Sequence, residues 1–506
     1  MKIIKSNTEA QEKLLSGINK LADIVGSTMG AKGRYVLYDD YVSPKLSNDG
    51  LNASKQIELE DKTEQLAVDL VINIAEKANR EAGDGSTDTI VLIRALYKEA
   101  IRNIVAGANP GEIKSGLIKG ADAIIEELKK QSVVIKSQKE IEQVAFVSSG
   151  NKEISKVIAD AIIKVGENGA LAVEQSDIPG ISSEIVLGMQ FDRGFTSEKM
   201  ITNAKREEAV IEDAPIIVST LRFTTASQIT KVLKNVLTAD NNKVVLIAED
   251  ISGEALETLI LNQKMKVINC LAIKAPGYGE MKNDIIEDIA VSVGAEVMTD
   301  EFTKAGTAKK IVATRDSTTI IGGAGNVKKR VKQIKEEMKT SQDIGRLQQR
   351  LAKLTGGVAI IKAGAYTEAE QQAIYDSAED ALYSARGAVE EGGVAGGGVA
   401  FIECLEALDD LKLEGDETVG IDILKKALEA PIRQIVDNAG SDGGMAVYFA
   451  QNGLGFNVAT MEYEDLLKSG IVDATKVLRL SLKYAIEAVG TLLMTSHTIA
   501  IKEEEK

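Results

Sequence analysis

The hydrophobic pattern of this 506-residue chain changes character twice, and that double change restricts its fold more than any single motif does. From Thr8 to Gly26, Leu14, Leu15, Ile18, Leu21, Ala22 and Val25 recur at helical spacing, with Thr8 as the predicted N-cap. A strand is read over 34–39 (RYVLYD). A second helix follows over 61–80 through Ala67, Leu70, Val71, Ile74 and Ala78, and a third begins after AGDGSTD. From about 168 to 325, β-rich runs such as SEIVLGMQF, PIIVST and KVVLIAED alternate with helical segments, the pattern of an α/β domain. Residues 326–354 read as long helices broken near 340–343, GGVAIIKAG reads as a strand, and the rest returns to helix. A mixed segment between two helical ones predicts a middle domain inserted into a discontinuous outer one. The length is enough for two to four domains.

Composition removes several functions. The net charge of −16, spread along the chain, argues against sequence-independent binding of nucleic acid or of an anionic membrane. A polyanion bound here needs a metal ion or backbone N–H groups. The single His497 excludes most histidine metal sites and Ser-His-Asp chemistry, and Cys270 and Cys404 read as reduced, buried thiols. No apolar core of signal-peptide length opens the chain and no 18-residue apolar run follows, so a cytoplasmic protein without membrane spans is expected.

Ala82–Asp88, AGDGSTD, directly precedes an apolar helical run. A helix start offers unpaired N–H groups and partial positive charge, and glycines let the backbone approach an anion. No lysine is present, as a Walker A loop would require; Asp84 stands there instead, which suits phosphate only with Mg²⁺ between them. The alternative is a helix capped by Ser86, Thr87 or Asp88 with nothing bound. TMGAKGR (28–34) ends the first helix and AGGGVAF (395–401) opens another; either is a phosphate turn or plain helix punctuation. Asp49 lies in a turn and Asp380 in a helix, and spacing alone does not bring either to Asp84.

Taken together, TMGAKGRYVLYD, SNDG, ELEDK, AGDGST, AGANP, GMQFDRG, IAEDISGEAL, KAPGYGE, AKLTGGVAIIKAGA, EDALYSARGAVEEGGVAGGGVA, EAPIRQIV and GFNVAT resemble the bacterial group I chaperonins, the GroEL family, in unbroken order over residues 5–500. The resemblance implies a multidomain α plus α/β fold. Its parts are a mostly helical equatorial domain (1–130 and 391–506), a small α/β intermediate hinge (131–187 and 359–390) and an α/β apical domain (188–358). It implies an ATPase with Mg²⁺ and K⁺, a homo-oligomeric, commonly heptameric ring, non-native polypeptide clients and a GroES-like co-chaperonin.

Residue by residue, the resemblance implies that Thr28, Met29, Gly30 and Ala31 approach the nucleotide, with Asn48 at the K⁺ and phosphate edge. Asp84 would hold Mg²⁺, and Gly85, Ser86, Thr87 and Asp88 form the phosphate seat. Gly397, Asn457, Val458, Ala459 and Asp473 would surround ribose and base, and Asp380 and Asp49 would be the catalytic carboxylates. Client contacts fall on Phe195, Met200, Leu233, Val236, Leu256, Leu259 and Ile260; the plain alternative for these is a core face.

Asp88 stands where the family has a third hydroxyl, Asn48 where it has lysine, Ala31 where it has proline, and Lys199 where an aromatic is usual. At about 4 Å and an effective dielectric near 20, an uncompensated charge such as Asp88 beside phosphate costs ~4 kcal/mol. Two readings compete with the folding ATPase. One is a chaperonin-fold holdase or scaffold with weak or absent ATPase. The other is an unrelated metal-dependent phosphotransferase, for which no acceptor motif is found.

Overall fold

The computed structural model describes residues 2–39, 44–47, 49–166, 169–204, 206–238, 241–277, 280–338 and 344–501. The chain forms two compact units: 1–160 with 173–182 and 362–506, and 161–172 with 183–361. Both chain ends and the stretch after 362 therefore belong to the first unit, which is the discontinuity read from the texture of the sequence.

The first unit is a packed set of long helices. Asn7–Gly26, Lys62–Ala82, Ser86–Val105, Pro110–Gln131 and Thr475–Leu493 turn apolar stripes inward onto a core that includes Leu21, Val71, Ile93, Leu96, Leu117 and Leu482. Caps explain most boundaries: Asp61 accepts N–H groups of Thr63 and Glu64, Asn109 accepts that of Gly111, and Ser137 with Glu140 forms a capping box. The first helix begins at Asn7 with Ser6 at the N-cap, so Thr8 lies inside the first turn. The early strand is Val36–Asp39, shorter than the run RYVLYD. The break read near 340–343 lies outside the described residues, between helices Val327–Glu337 and Ile344–Thr355.

Among the described residues the first unit holds four small strand pairs, one of them Val36–Asp39 with Pro44–Ser47. Lys2–Ser6 pairs antiparallel with His497–Ile501, Gly393–Ala395 with Val472–Ala474, and Gly455–Asn457 with Glu462–Glu464. The pair at Gly393–Ala395 sets Val394 opposite Asp473 and so fixes where that carboxylate emerges.

The second unit is built on a mixed sheet. Its order within the unit is Asn269–Lys274, Lys243–Ala248, Ala209–Val218, Gly306–Ala313, Thr318–Gly323, then residues 183–191, 357–361 and 170–172. The first three strands run parallel; Lys243–Ala248 reads as a near-continuous apolar run, as expected for a strand buried on both faces, while Ala209–Val218 is interrupted by the exposed Glu212 and Asp213. Helices Ala226–Leu233, Gly253–Lys264 and Glu280–Val293 belong to this unit. Among the described residues no helix is long and apolar enough to cross a membrane.

Candidate functional site: a carboxylate-lined cavity at a helix start

Helix Ser86–Val105 starts on a left-handed residue, whereas the N-caps of helices Asn7–Gly26 and Thr475–Leu493 are extended. Its N-cap is Gly85 in the left-handed region (φ +89°), and no side chain caps it. A β-carbon at Gly85 would stand 2.4 Å from Ser481 Oγ, so the close packing of helix Thr475–Leu493 requires glycine there. Ser481 and Thr89 instead bind the Gly85 carbonyl, at 3.1 and 2.8 Å. The reading of Ser86, Thr87 or Asp88 as the cap is therefore replaced by an uncapped helix start. The hydroxyls of Ser86 and Thr87 make no hydrogen bond among the described residues, although Ser86 is only 8% exposed.

That start opens on a cavity of about 400 Å³, within the size range of small-molecule sites. Its wall brings together Thr28, Met29, Gly30, Ala31, Asp49, Asp84, Ser86, Thr87, Asp88 and Asp380, and adds Gly397, Asn457, Val458, Ala459 and Asp473. Gly85 sits at the N-cap between two of these. Asn48 lies outside the described residues. Thus 49, 84 and 380, far apart in sequence, share one cavity within a single unit.

Each wall segment has a local cause. The turn after the first helix is closed by Gly33 N–H to Gly30 O (2.8 Å) and Arg34 N–H to Ser27 O (2.8 Å), with Gly30 at φ +79°. Asn438 ties it down through the carbonyls of Gly26 and Met29 at 2.8 and 2.9 Å. Asp49 caps the short helix Gly50–Ser54, accepting Leu51 N–H at 2.8 Å. A β-carbon at Gly50 would lie 2.4 Å from Thr87 Oγ1 and 3.1 Å from Thr28 Oγ1, which shows how tightly these segments meet. Asn457 is spent on its own loop: its Oδ1 accepts Ala459 N–H at 2.9 Å and its Nδ2 donates to Glu464 at 2.5 Å. Its part in any ligand site is to shape the wall.

Asp84 is held on both oxygens. Gly85 N–H donates to Oδ1 at 2.6 Å, while Ser148 and Ser384 donate to Oδ2 at 3.0 and 2.7 Å. These two serines were invisible to sequence reasoning, because a helical serine carries no spacing signal and its partner is remote. Ser384 follows Asp380 by one turn on helix Glu368–Glu391, so both sit on the same face.

The electrostatics are those of crowded acids. Burial, then Asp473 and Asp84, push Asp88 up to about 8. Burial and Asp84 push Asp473 up to about 7, against the N–H of Gly397, which donates to it. Burial, then Asp84 and Asp49, with Glu379 and Asp376 beyond, hold Asp380 well above the carboxylate range. Among the described residues lining this cavity there is no Lys, Arg or His. In the absence of cations, protons neutralise these acids near neutral pH. Among the described residues no group of three or more acids, cysteines or histidines could hold a metal alone. A single fixed carboxylate completed by phosphate oxygens is the donor set that Mg²⁺ accepts, so Asp84 fits that ion.

The seven apolar positions named as client contacts are placed differently. Phe195, Met200, Leu233, Val236 and Leu259 are buried in the core of the second unit, where they pack against its sheet. The resemblance implied client contacts at these positions; here these five side chains take the plain alternative, a face turned into the core. Leu256 and Ile260 are partly buried, and the next residue, Leu261, is 56% exposed.

A helical unit interrupted by a sheet-based unit, with a carboxylate-lined cavity at a helix start in the helical one, is the organisation of a chaperonin subunit. The model of the TCP-1/cpn60 chaperonin family matches residues 21–503, and the chain belongs to that family. Among solved structures it is similar to the chaperonin gp146 of bacteriophage EL (Pseudomonas aeruginosa), solved in the presence of ATP-BeFx. The TM-score is 0.71 at 18% identity, covering 99% of this chain and all of that one. At that identity the likeness speaks to fold alone.

Proposed function

We propose that the chain is the subunit of an ATP-driven, group I-type chaperonin ring that binds non-native polypeptides and couples ATP hydrolysis to domain movement. The observation that carries this reading is the meeting of Asp49, Asp84 and Asp380 on one cavity with an uncapped helix start. In it, the N–H groups and hydroxyls of Ser86 and Thr87 seat phosphate oxygens, and Asp84, oriented by Ser148 and Ser384, holds Mg²⁺. When bound, Mg²⁺ stabilises charge on the phosphoryl oxygens. Asp380 is held high by burial and by its acidic neighbours; it accepts a proton from, or orients, the attacking water, and Asp49 assists. The apolar walls from Ile435, Phe456 and Ile471 take the base.

The reading extends to a three-part division of the chain, with 1–130 and 391–506 equatorial, 131–187 and 359–390 intermediate, and 188–358 apical. A carboxylate on the intermediate part ties turnover to closure. It also includes K⁺ as an activating ion, a cytoplasmic setting, and a GroES-like partner that competes with clients for the face carrying Leu256, Ile260 and Leu261. The test is phosphate release with Mg²⁺ and K⁺ beside electron microscopy of the particles. Rings with Mg²⁺-dependent turnover, lost in Asp380→Ala while nucleotide binding remains, support the proposal; monomers without turnover under any cation condition refute it.

A second reading, a holdase or scaffold with little turnover, is favoured by Asp88, whose carboxyl crowds the phosphate seat. It predicts rings and client capture in the unmodified protein with turnover near zero, rising in Asp88→Thr.

A further inference from the structure

Asn457 lies on the cavity wall at the end of strand Gly455–Asn457 and is 9% exposed. Its backbone carbonyl accepts Met461 N–H at 2.7 Å, which closes the turn into strand Glu462–Glu464. Its side-chain amide is engaged at both ends: Oδ1 accepts Ala459 N–H at 2.9 Å, and Nδ2 donates to Oε1 of Glu464 at 2.5 Å. These partners leave the amide one orientation, because a backbone N–H only donates and a carboxylate only accepts. Bonds from Asn457 and Ser469 hold the Glu464 carboxyl below its ordinary value, so it remains an acceptor at neutral pH. Phe456 packs on Tyr463 with ring centroids 5.0 Å apart, which joins the two strands. Around this loop the wall is apolar: Phe456, Val458, Leu466 and Ile471 line the same cavity.

We propose that Glu464 sets the base selectivity of this cavity: by holding the Asn457 amide on its own loop it leaves the base of a nucleoside triphosphate to apolar contact, so that adenine, guanine and hypoxanthine nucleotides bind alike. The inference rests on the cavity being a nucleotide site. A free amide reads a base edge and separates bases by about 10- to 100-fold. An apolar wall has no polar group to leave unpaired and rejects a near-isostere weakly. Selection then falls on the triphosphate, through the helix start and Asp84. Glu464 acts through Asn457 and is a positioning residue.

The test compares three triphosphates that differ only in the base. Displacement of a fluorescent ATP analogue from the full-length protein in Mg²⁺ gives dissociation constants for ATP, GTP and ITP. In the unmodified protein the three should lie within about 10-fold of one another. Glu464→Gln should behave the same way, since the glutamine Oε1 still accepts from Asn457. Glu464→Leu releases Nδ2, and a free donor beside the base pairs with some base edges and opposes others. The spread among the three should then widen by about 10-fold or more, while displacement by inorganic tripolyphosphate stays unchanged. A spread wider than about 10-fold in the unmodified protein, or ratios that Glu464→Leu leaves as they were, overturns the inference. Equal loss of all three nucleotides in Glu464→Leu makes Glu464 a support of the loop alone and overturns it as well. A protein that binds neither the analogue nor any of the three triphosphates removes the nucleotide site itself, and this inference with it.

Discussion

Ser384 donates a 2.7 Å hydrogen bond to Oδ2 of Asp84 across 300 residues of chain, from the same helix face that carries Asp380. The bond orients one carboxylate and, through the helix, registers another against it. Ser384→Ala should lower Mg²⁺-dependent nucleotide affinity by about 10- to 100-fold, the usual effect of removing a group that orients a metal ligand. Metal-free nucleotide binding should change far less. Calorimetry with and without Mg²⁺ separates the two, and equal losses in both would mean that Ser384 only holds the fold.

Removing Asp380 isolates chemistry from binding. Asp380→Asn keeps the shape and deletes the proton acceptor, so turnover should fall by about 10²- to 10⁴-fold. Nucleotide affinity should hold or improve, because one of the acids crowding Asp84 is gone. A single-turnover measurement with bound ATP checks this, and unchanged hydrolysis would move the role to Asp49.

Gly85 carries two burdens that a pair of substitutions distinguishes. Alanine there would meet both the φ of +89° and a 2.4 Å approach to Ser481 Oγ, whereas Gly150, at φ +63°, has nothing within 4 Å of its virtual β-carbon. Gly150→Ala should cost about 1–2 kcal/mol of backbone strain alone. Gly85→Ala should cost at least as much again and displace the helix start. Thermal midpoints of the two variants test the order; equal shifts would mean that Ser481 gives way freely.

The raised acids set a direction for the pH dependence of stability in metal-free protein. Asp88 at about 8 and Asp473 at about 7 both lie above their unfolded values near 4. The folded state therefore holds more protons, so stability declines as pH climbs from the ordinary carboxylate range through about 8, then levels. Urea midpoints should fall between about pH 5 and pH 8, and Asp88→Asn should flatten the upper half of that fall. A midpoint that rises across this range would show that Asp88 and Asp473 ionise freely in the fold.

The outer frame of this fold was legible because it is written in local period. The switch from helical to β texture marks the inserted unit, and glycine-rich turns mark the wall of the cavity. What stayed hidden is long-range. Val394 opposite Asp473, and Ser148 and Ser384 on Asp84, are contacts between segments whose sequences say nothing of each other. The convergence of 49, 84 and 380 was likewise reachable only through family likeness, since an aspartate on a helix reads as solvated. Leu259 is a different case: the resemblance implied a client contact there. On a helix with a weakly segregated apolar face, the spacing of Leu256, Leu259, Ile260 and Leu261 does not by itself say which of them points in.

That ambiguity becomes a discriminating pair of substitutions. Leu259 is 1% exposed and packed in the core, while Leu261, half a turn on, is 56% exposed. Leu259→Ala should cost about 2–5 kcal/mol, seen as a lower denaturation midpoint, because it leaves a cavity that the sheet unit cannot fill. Leu261→Ser removes apolar surface that already meets water, so stability should stay within about 0.5 kcal/mol. Its effect should instead appear in the capture of a chemically unfolded polypeptide, measured by suppression of aggregation at equal subunit concentration. A client face that includes Leu261 loses capture in this variant while folding is unchanged. Full capture by Leu261→Ser would shift the contact to another surface, since Leu259 is already committed to the core.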